Sequence, residues 1–262
     1  MSAMKRSMHC KWMIGAAMAV LTSASALAAD IAVKAPGFVA VPDVNSMVIW
    51  AGSDFKNRVS AGNIGGIYAL NGNLDASGWL IRGQATYVDY NFATALAPSG
   101  TGNGKFTQGS AAVGYQFAGS NFVASALIGI DGQNYDITPG AARPANISNT
   151  AGVAVYGRLA TKGGALFPSA IEANFSSANN AYWVRGRTGV RFGQFVVGPE
   201  LIGLGNKAYD EVRAGGYVTY DITSKWIVQA NLGYAAPQRG QGTGAARGGN
   251  GAYGGVTLVF LH

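Results

Sequence analysis

The sequence is poor in the residues that most enzyme chemistry needs. It holds one cysteine, Cys10, and two histidines, His9 and His262. Cys10 and His9 fall in an N-terminal stretch where Lys5, Arg6 and Lys11 precede an apolar run over residues 12–21 and small residues close on Ala26-Leu27-Ala28. That run is too short to span a bilayer, and the stretch reads as a secretory signal peptide, residues 1–28, with cleavage predicted after Ala28 or Ala29. The mature chain then has no thiol and one histidine, His262. Disulfides, thiolate metal sites, cysteine nucleophiles, Ser-His-Asp triads and histidine metal clusters all lose a required member. No catalytic residue, cofactor or metal is expected.

Charge is scarce as well. Charged residues make up 12% of the chain, against 48% hydrophobic, and 39 residues are glycine; globular domains carry about 25% charge. The formal +7 falls to +4 without Lys5, Arg6 and Lys11, too modest an excess to argue for nucleic acid. No mature segment keeps an apolar 3.6-residue period over three turns, and none has 18 consecutive apolar residues, which excludes helical membrane spans. No linker divides the chain, so residues 29–46 are predicted as a periplasmic N-terminal segment and 47–262 as one domain.

What the sequence does contain is alternation. Segments of about ten residues switch between apolar and polar or small positions and are punctuated by Gly, Asn, Asp, Ser and Pro. Twelve strands are predicted, at 47–56, 61–70, 78–91, 105–117, 121–136, 147–161, 165–177, 181–192, 195–205, 208–220, 226–236 and 250–262. An up-and-down path with both termini in the periplasm puts the three longest connections, 93–104, 137–146 and 237–249, on the outer side. The fold class is therefore all-β, a transmembrane up-and-down antiparallel β-barrel in the bacterial outer membrane, with outer-membrane lipid as its partner. A soluble barrel or sandwich shows the same alternation with the polar stripe in water. Lysines argue against it, because Lys34, Lys56, Lys105, Lys162, Lys207 and Lys225 fall at predicted strand ends, turns or loops, where a water-facing strand surface would carry several.

The alternation also sorts the faces. Trp226, Val228, Ala230, Leu232 and Tyr234 form an outward stripe with aromatics at both ends. The inward face collects Asp54, Asp131, Glu172, Glu200 and Glu211 against Arg82, Arg158, Arg185, Arg187, Arg191 and Arg213. Near balance favours a lattice of paired charges filling the lumen, because an unpaired charge there is costly. An arginine-lined channel at Arg185, Arg187 and Arg191 is the functional alternative. The carboxylates have arginines available as partners, which favours ion pairs over a glycosidase dyad. The Gly-rich stretches Ser99-Gly100-Thr101-Gly102-Asn103-Gly104-Lys105 and Gly240-Gln241-Gly242 lack the residues and strand-to-helix context of phosphate loops and read as outer loops.

Five segments carry a family resemblance: Ala51-Gly52-Ser53-Asp54, Gly129-Ile130-Asp131-Gly132-Gln133, Val197-Gly198-Pro199-Glu200, Tyr209-Asp210-Glu211-Val212-Arg213-Ala214-Gly215 and Gly251-Ala252-Tyr253-Gly254. With them the mature chain resembles the BcsS family of bacterial cellulose biosynthesis proteins. The resemblance implies a non-enzymatic outer-membrane barrel accessory to making or exporting cellulose, with cellulose or its secretion machinery as partner. A generic small porin or surface-exposed barrel is the alternative. A glucan path would need aromatic rings under sugar faces, and Tyr135, Tyr156, Trp183, Tyr217 and Tyr253 fall on inward faces. Fractionation tests the location: the protein is expected in outer-membrane fractions as a heat-modifiable band, and recovery as a soluble periplasmic protein would overturn the barrel.

Overall fold

The computed structural model describes residues 45–240 and 250–262. The predicted signal peptide, most of the predicted periplasmic segment with Lys34, and the tip of the last outer loop lie outside the described residues. Strand segments run in chain order as β1 (Met47–Lys56), β2 (Val59–Ala69), β3 (Gly78–Ala93), β4 (Thr101–Ala118), β5 (Phe122–Thr138), β6 (Thr150–Thr161), β7 (Ser169–Ser176), β8 (Ala181–Thr188), β9 (Val190–Phe192), β10 (Phe195–Gly205), β11 (Tyr209–Asp221), β12 (Trp226–Gly240) and β13 (Gly251–Leu261). Every neighbouring pair is antiparallel. The sheet closes on itself through β13 against β1 and β10 against β11.

β8 and β9 are one stave. Both pair with β10 in one unbroken register, from Glu200↔Arg187 to Val197↔Val190, and the break falls at Gly189. On the other side the Gly189 and Arg191 amides donate to the carbonyls of Pro168 and Leu166, so residues 165–168 run alongside as irregular chain. Pro168 cannot donate to a ladder, which explains why β7 starts at Ser169 and not at the predicted 165. The barrel therefore has twelve staves, as the alternation predicts. The sixth also starts late, at Thr150: the Asn149 side-chain oxygen takes the Tyr135 amide that a strand carbonyl would otherwise accept.

The apolar stripes face outward. Ile130 is 70% exposed and Leu232 69%, and Ile64, Ile81, Val113, Ile128, Val155, Leu201 and Val256 are exposed with them. At roughly 25 cal/mol per Å² such a surface is strongly unfavourable in water and is at home in hydrocarbon. At the end that holds the termini, Tyr68 and Trp79, Phe117 and Phe122, and Phe192 and Phe195 flank three of the turns, and Trp226 follows a fourth. Trp79 meets Tyr115 edge-on at 5.7 Å, and Phe195 stacks on Tyr220 at 4.7 Å. This is the interfacial girdle of a transmembrane barrel. Trp226, Leu232 and Tyr234 are exposed along the outward face of β12, as the stripe predicts.

Inward aromatic rings explain part of the glycine content. The Trp50 ring occupies the place a Cβ on Gly65 would take, and Tyr253 lays its ring against Gly233 on the neighbouring stave and its hydroxyl against Gly215 on the stave beyond. A side chain at any of the three would force the aromatic residue or the wall to move.

The connections correct one expectation. The inner connection 70–77 is one residue longer than the outer connection 94–100, because β4 begins at Thr101. Lys105 and Gly102 therefore lie within β4 and not in a loop. The inner connection has packing work: Leu74 turns into the barrel against Ala69, Leu80, Leu127 and Tyr156, and Gln116 Nε2 donates to the Leu74 and Ala76 carbonyls at 2.6 and 3.1 Å. This apolar cluster fills the lumen near the inner rim. An epitope inserted at Ser99 is expected to bind antibody on intact cells, whereas one at Gly119 is expected to need permeabilised cells; the reverse pattern would invert the barrel.

Candidate functional site

Because successive side chains alternate across the wall, each stave delivers its charges to the lumen at two-residue spacing. The largest cluster centres on Glu172 of β7. It accepts from Arg185 Nη2 at 2.6 Å and Nε at 3.1 Å, and Arg158 Nε lies 3.4 Å away. The strand register sets this arrangement, since Arg158, Glu172 and Arg185 are directly paired across β6, β7 and β8. Arg185 Nη1 also lies 3.8 Å from Glu200, whose other oxygen accepts from Asn231 Nδ2 at 3.1 Å. Asp54 and Asn231 share the space left open by Gly255. Arg187 bonds Gln229 and sits 5.4 Å over the Tyr217 ring.

A second cluster surrounds Glu211, which binds Lys56, Tyr209 and, at 2.5 Å, Arg213 Nε. Near the inner rim Arg191 pairs with Asp221 at 2.7 Å. Asp131 departs from the expected pattern. Its partners are Gln108 at 2.8 Å and Gln133 at 2.7 Å, not an arginine. Arg82 likewise has no carboxylate within 4 Å among the described residues; it bonds Gln84 and lies between Trp50 and Tyr156, 5.6 and 4.4 Å from their ring centres. The lumen is therefore ion-paired around Glu172, Glu211 and Asp221, and amide-bonded or ring-covered elsewhere.

Three of the five predicted stacking rings carry a guanidinium partner besides Tyr156 under Arg82: Trp183 with Arg185 at 5.2 Å, Tyr217 with Arg187, and Tyr253 with Arg213 at 5.2 Å. Such contacts contribute roughly 0.5–2 kcal/mol each. Tyr135 packs on Phe106 at 4.7 Å and accepts from Asn206 Nδ2 at 3.3 Å.

Asn179 ties the outer mouth together. It is buried, donates to Gln133 and to the Ser148 carbonyl, and accepts from the Ser148 amide. Its backbone carbonyl accepts from the Lys207 amide, so three outer connections meet at one residue, with Ile147 buried beside them.

Several of these residues escape the sequence reading. Lys56 was legible in principle, because it shares parity with Asp54; its place at a strand end argues the other way, yet its side chain is buried on Glu211. Gln229 and Asn231 alternate with the outward stripe of β12 and follow from it. Asp221 shares parity with Glu211 and Arg213 on β11, whereas nothing local marks Asn179. Among the described residues no group of three or more His, Cys, Asp or Glu is placed to hold a metal ion.

A family model described as "Cellulose biosynthesis protein BcsS" matches residues 48–262. Nothing among curated proteins matches the chain. Solved structures similar to it include a KdgM porin (11% identity, TM-score 0.45, covering 81% of this chain and 98% of that one). Others are the β domain of the Bordetella autotransporter BrkA (15%, 0.45, 84% and 100%) and an outer-membrane channel from Pseudomonas putida F1 (14%, 0.45, 88% and 100%). At these scores the fold assignment rests on the strand pairing of the chain itself.

Replacing Glu172 by Gln leaves Arg158, Arg185 and Arg187 crowded without their shared carboxylate, and is expected to lower barrel stability by roughly 1–3 kcal/mol. Neutralising Glu172 and Arg185 together should recover much of that loss. Urea unfolding in detergent micelles reads both; single changes that leave stability untouched but alter ion selectivity would show arginines lining a wet channel.

Proposed function

This chain belongs to the BcsS family of cellulose biosynthesis proteins, and on that premise we propose that it is a non-enzymatic outer-membrane barrel accessory to the making or export of cellulose. The observation that carries the accessory role is the filled lumen. Asp131, Glu200 and Glu211 are each 1% exposed, the Leu74 cluster occupies the inner end, and Asn179 gathers the outer connections. A polymer threading this lumen would have to break the pairs around Glu172 and strand their charges, at several kcal/mol per ion. In this reading Tyr135, Tyr156, Trp183, Tyr217 and Tyr253 pack the interior instead of a sugar. The barrel would act through its surfaces, docking secretion machinery at the periplasmic end or holding polymer outside.

One observation favours the alternative of a small porin: the Arg158 and Arg191 side chains keep 32% and 27% of their exposure, which leaves room for water beside the charges. Planar-bilayer recording separates the two, with only small conductance steps expected from an accessory barrel.

The direct test is a deletion strain stained for cellulose. Lower cellulose at the surface, restored by the wild-type chain on a plasmid, is the expected outcome. Undiminished cellulose in the deletion strain would overturn the role.

A further inference from the structure

Two arginines and a tyrosine bring hydrogen-bond donors to one stretch of the lumen and leave most of them unmatched. Arg82 reaches across from β3, its guanidinium 4.4 Å from the Tyr156 ring centre on β6 and 5.6 Å from that of Trp50 on β1. The residue is 7% exposed. Among the described residues it donates only from Nη2 to Gln84, and its buried Nε–H meets no acceptor. Arg158 follows Tyr156 by two positions on the same inward face, so the two side chains leave the wall about 7 Å apart. It approaches Glu172 at 3.4 Å through Nε but makes no hydrogen bond among the described residues, and its side chain is 32% exposed. The Tyr156 hydroxyl has no hydrogen-bond partner among them either, and the charges acting on it are those of Glu172, Arg158, Arg82 and Arg185.

The group is short of acceptors and of negative charge. Guanidinium nitrogens only donate. Glu172 is the one carboxylate among three arginines here, and its Oε2 already takes both bonds from Arg185. Asp131 on the adjoining β5 is held by Gln108 and Gln133 and neutralises neither Arg82 nor Arg158. A buried guanidinium without a counter-charge is costly, and the ring faces of Trp50 and Tyr156 offset only part of that cost. A water molecule would accept from Arg82 Nε–H but bring no charge. An oxyanion supplies both, with oxygens enough for donors arriving from two staves.

We infer that the lumen beside Arg82, Tyr156 and Arg158 binds a small free oxyanion of the phosphate or sulfate class. Arg82 Nε–H, the Tyr156 hydroxyl and the N–H groups of Arg158 donate to its oxygens, the guanidinium bonds being charge-assisted. The closed wall separates these inward groups from lipid head groups, so the ion comes from solution. Exposure of Arg158 leaves room at the site, while Leu74, packed against Tyr156 and its neighbours, limits the occupant to a small one. The inference is independent of the cellulose role.

The test titrates sodium sulfate and sodium phosphate into the full-length chain in nonionic detergent micelles, read by calorimetry and by urea unfolding, with ionic strength held constant by sodium chloride. The heat-modifiable band checks folding. Wild type is expected to bind both anions in the millimolar range or tighter and to gain stability with them. Arg82→Gln and Arg158→Gln should each weaken binding about tenfold or more, the loss of one charge-assisted hydrogen bond. Tyr156→Phe, which keeps the ring under Arg82, should weaken it in the same direction. Lys225→Gln removes a positive charge from an exposed turn and should bind as wild type does. Glu172→Gln adds a readout that purely structural arginines would not move: sulfate should recover part of the stability this change removes, and more than it adds to wild type. No saturable binding by wild type, folded arginine variants that bind like it, or a loss in Lys225→Gln as large as that in Arg82→Gln would overturn the inference. So would chloride alone matching sulfate at equal ionic strength.

Discussion

The structure depends on placing charge inside a wall whose exterior is hydrocarbon. Once Ile130, Leu201 and Leu232 face lipid, the alternate positions of the same or adjoining staves must point inward, and those positions include Asp131, Glu200 and Asn231. A carboxylate in that interior is tolerated only with partners, because the effective desolvation cost is several kcal/mol per ion. Glu172 meets the requirement with Arg158 and Arg185, and Glu211 with Lys56 and Arg213. Register, lumen filling and closure are therefore coupled. A one-residue slip of a stave would carry that stave's inward charges to the lipid side.

The same constraint accounts for where the barrel is rigid and where it is open to water. Inward rings lie against wall glycines and under guanidinium groups, so the interior is packed by side chains from many staves at once. Outside the apolar belt that demand disappears. The outward rows beyond Gly109 and Gly132 on β4 and β5 carry exposed polar side chains, Thr107, Asn134, Lys105 and Asp136 among them, whose hydrogen bonds water can supply.

The segments that carry the family resemblance supply much of the lumen. They contribute Asp54, Asp131, Glu200, Glu211, Arg213 and Tyr253, all on inward positions, together with Gly132 on the outer wall. The residues that make the sequence recognisable are thus largely those that satisfy the charge constraint. This explains why the resemblance points to a fold and a cellulose setting without pointing to a reaction.

Much of this was legible in the sequence because a β-barrel writes its geometry at period two. Twelve staves, the outward stripe of Trp226 to Tyr234, and the inward placement of Arg82, Asp131, Glu172, Arg185 and Glu211 follow from alternation alone. What alternation cannot specify is which stave stands opposite which across the lumen. Asp131 was expected to find an arginine and instead bonds Gln108 and Gln133; Lys56 and Glu211, 155 residues apart, meet only because the sheet closes through β1 and β13. Asn179 joins three outer connections by hydrogen bonds that no local pattern encodes. The sequence by itself determined the staves and their faces, since these depend on neighbours along the chain. The tertiary structure decided the partners, since register and closure bring distant staves within bonding distance.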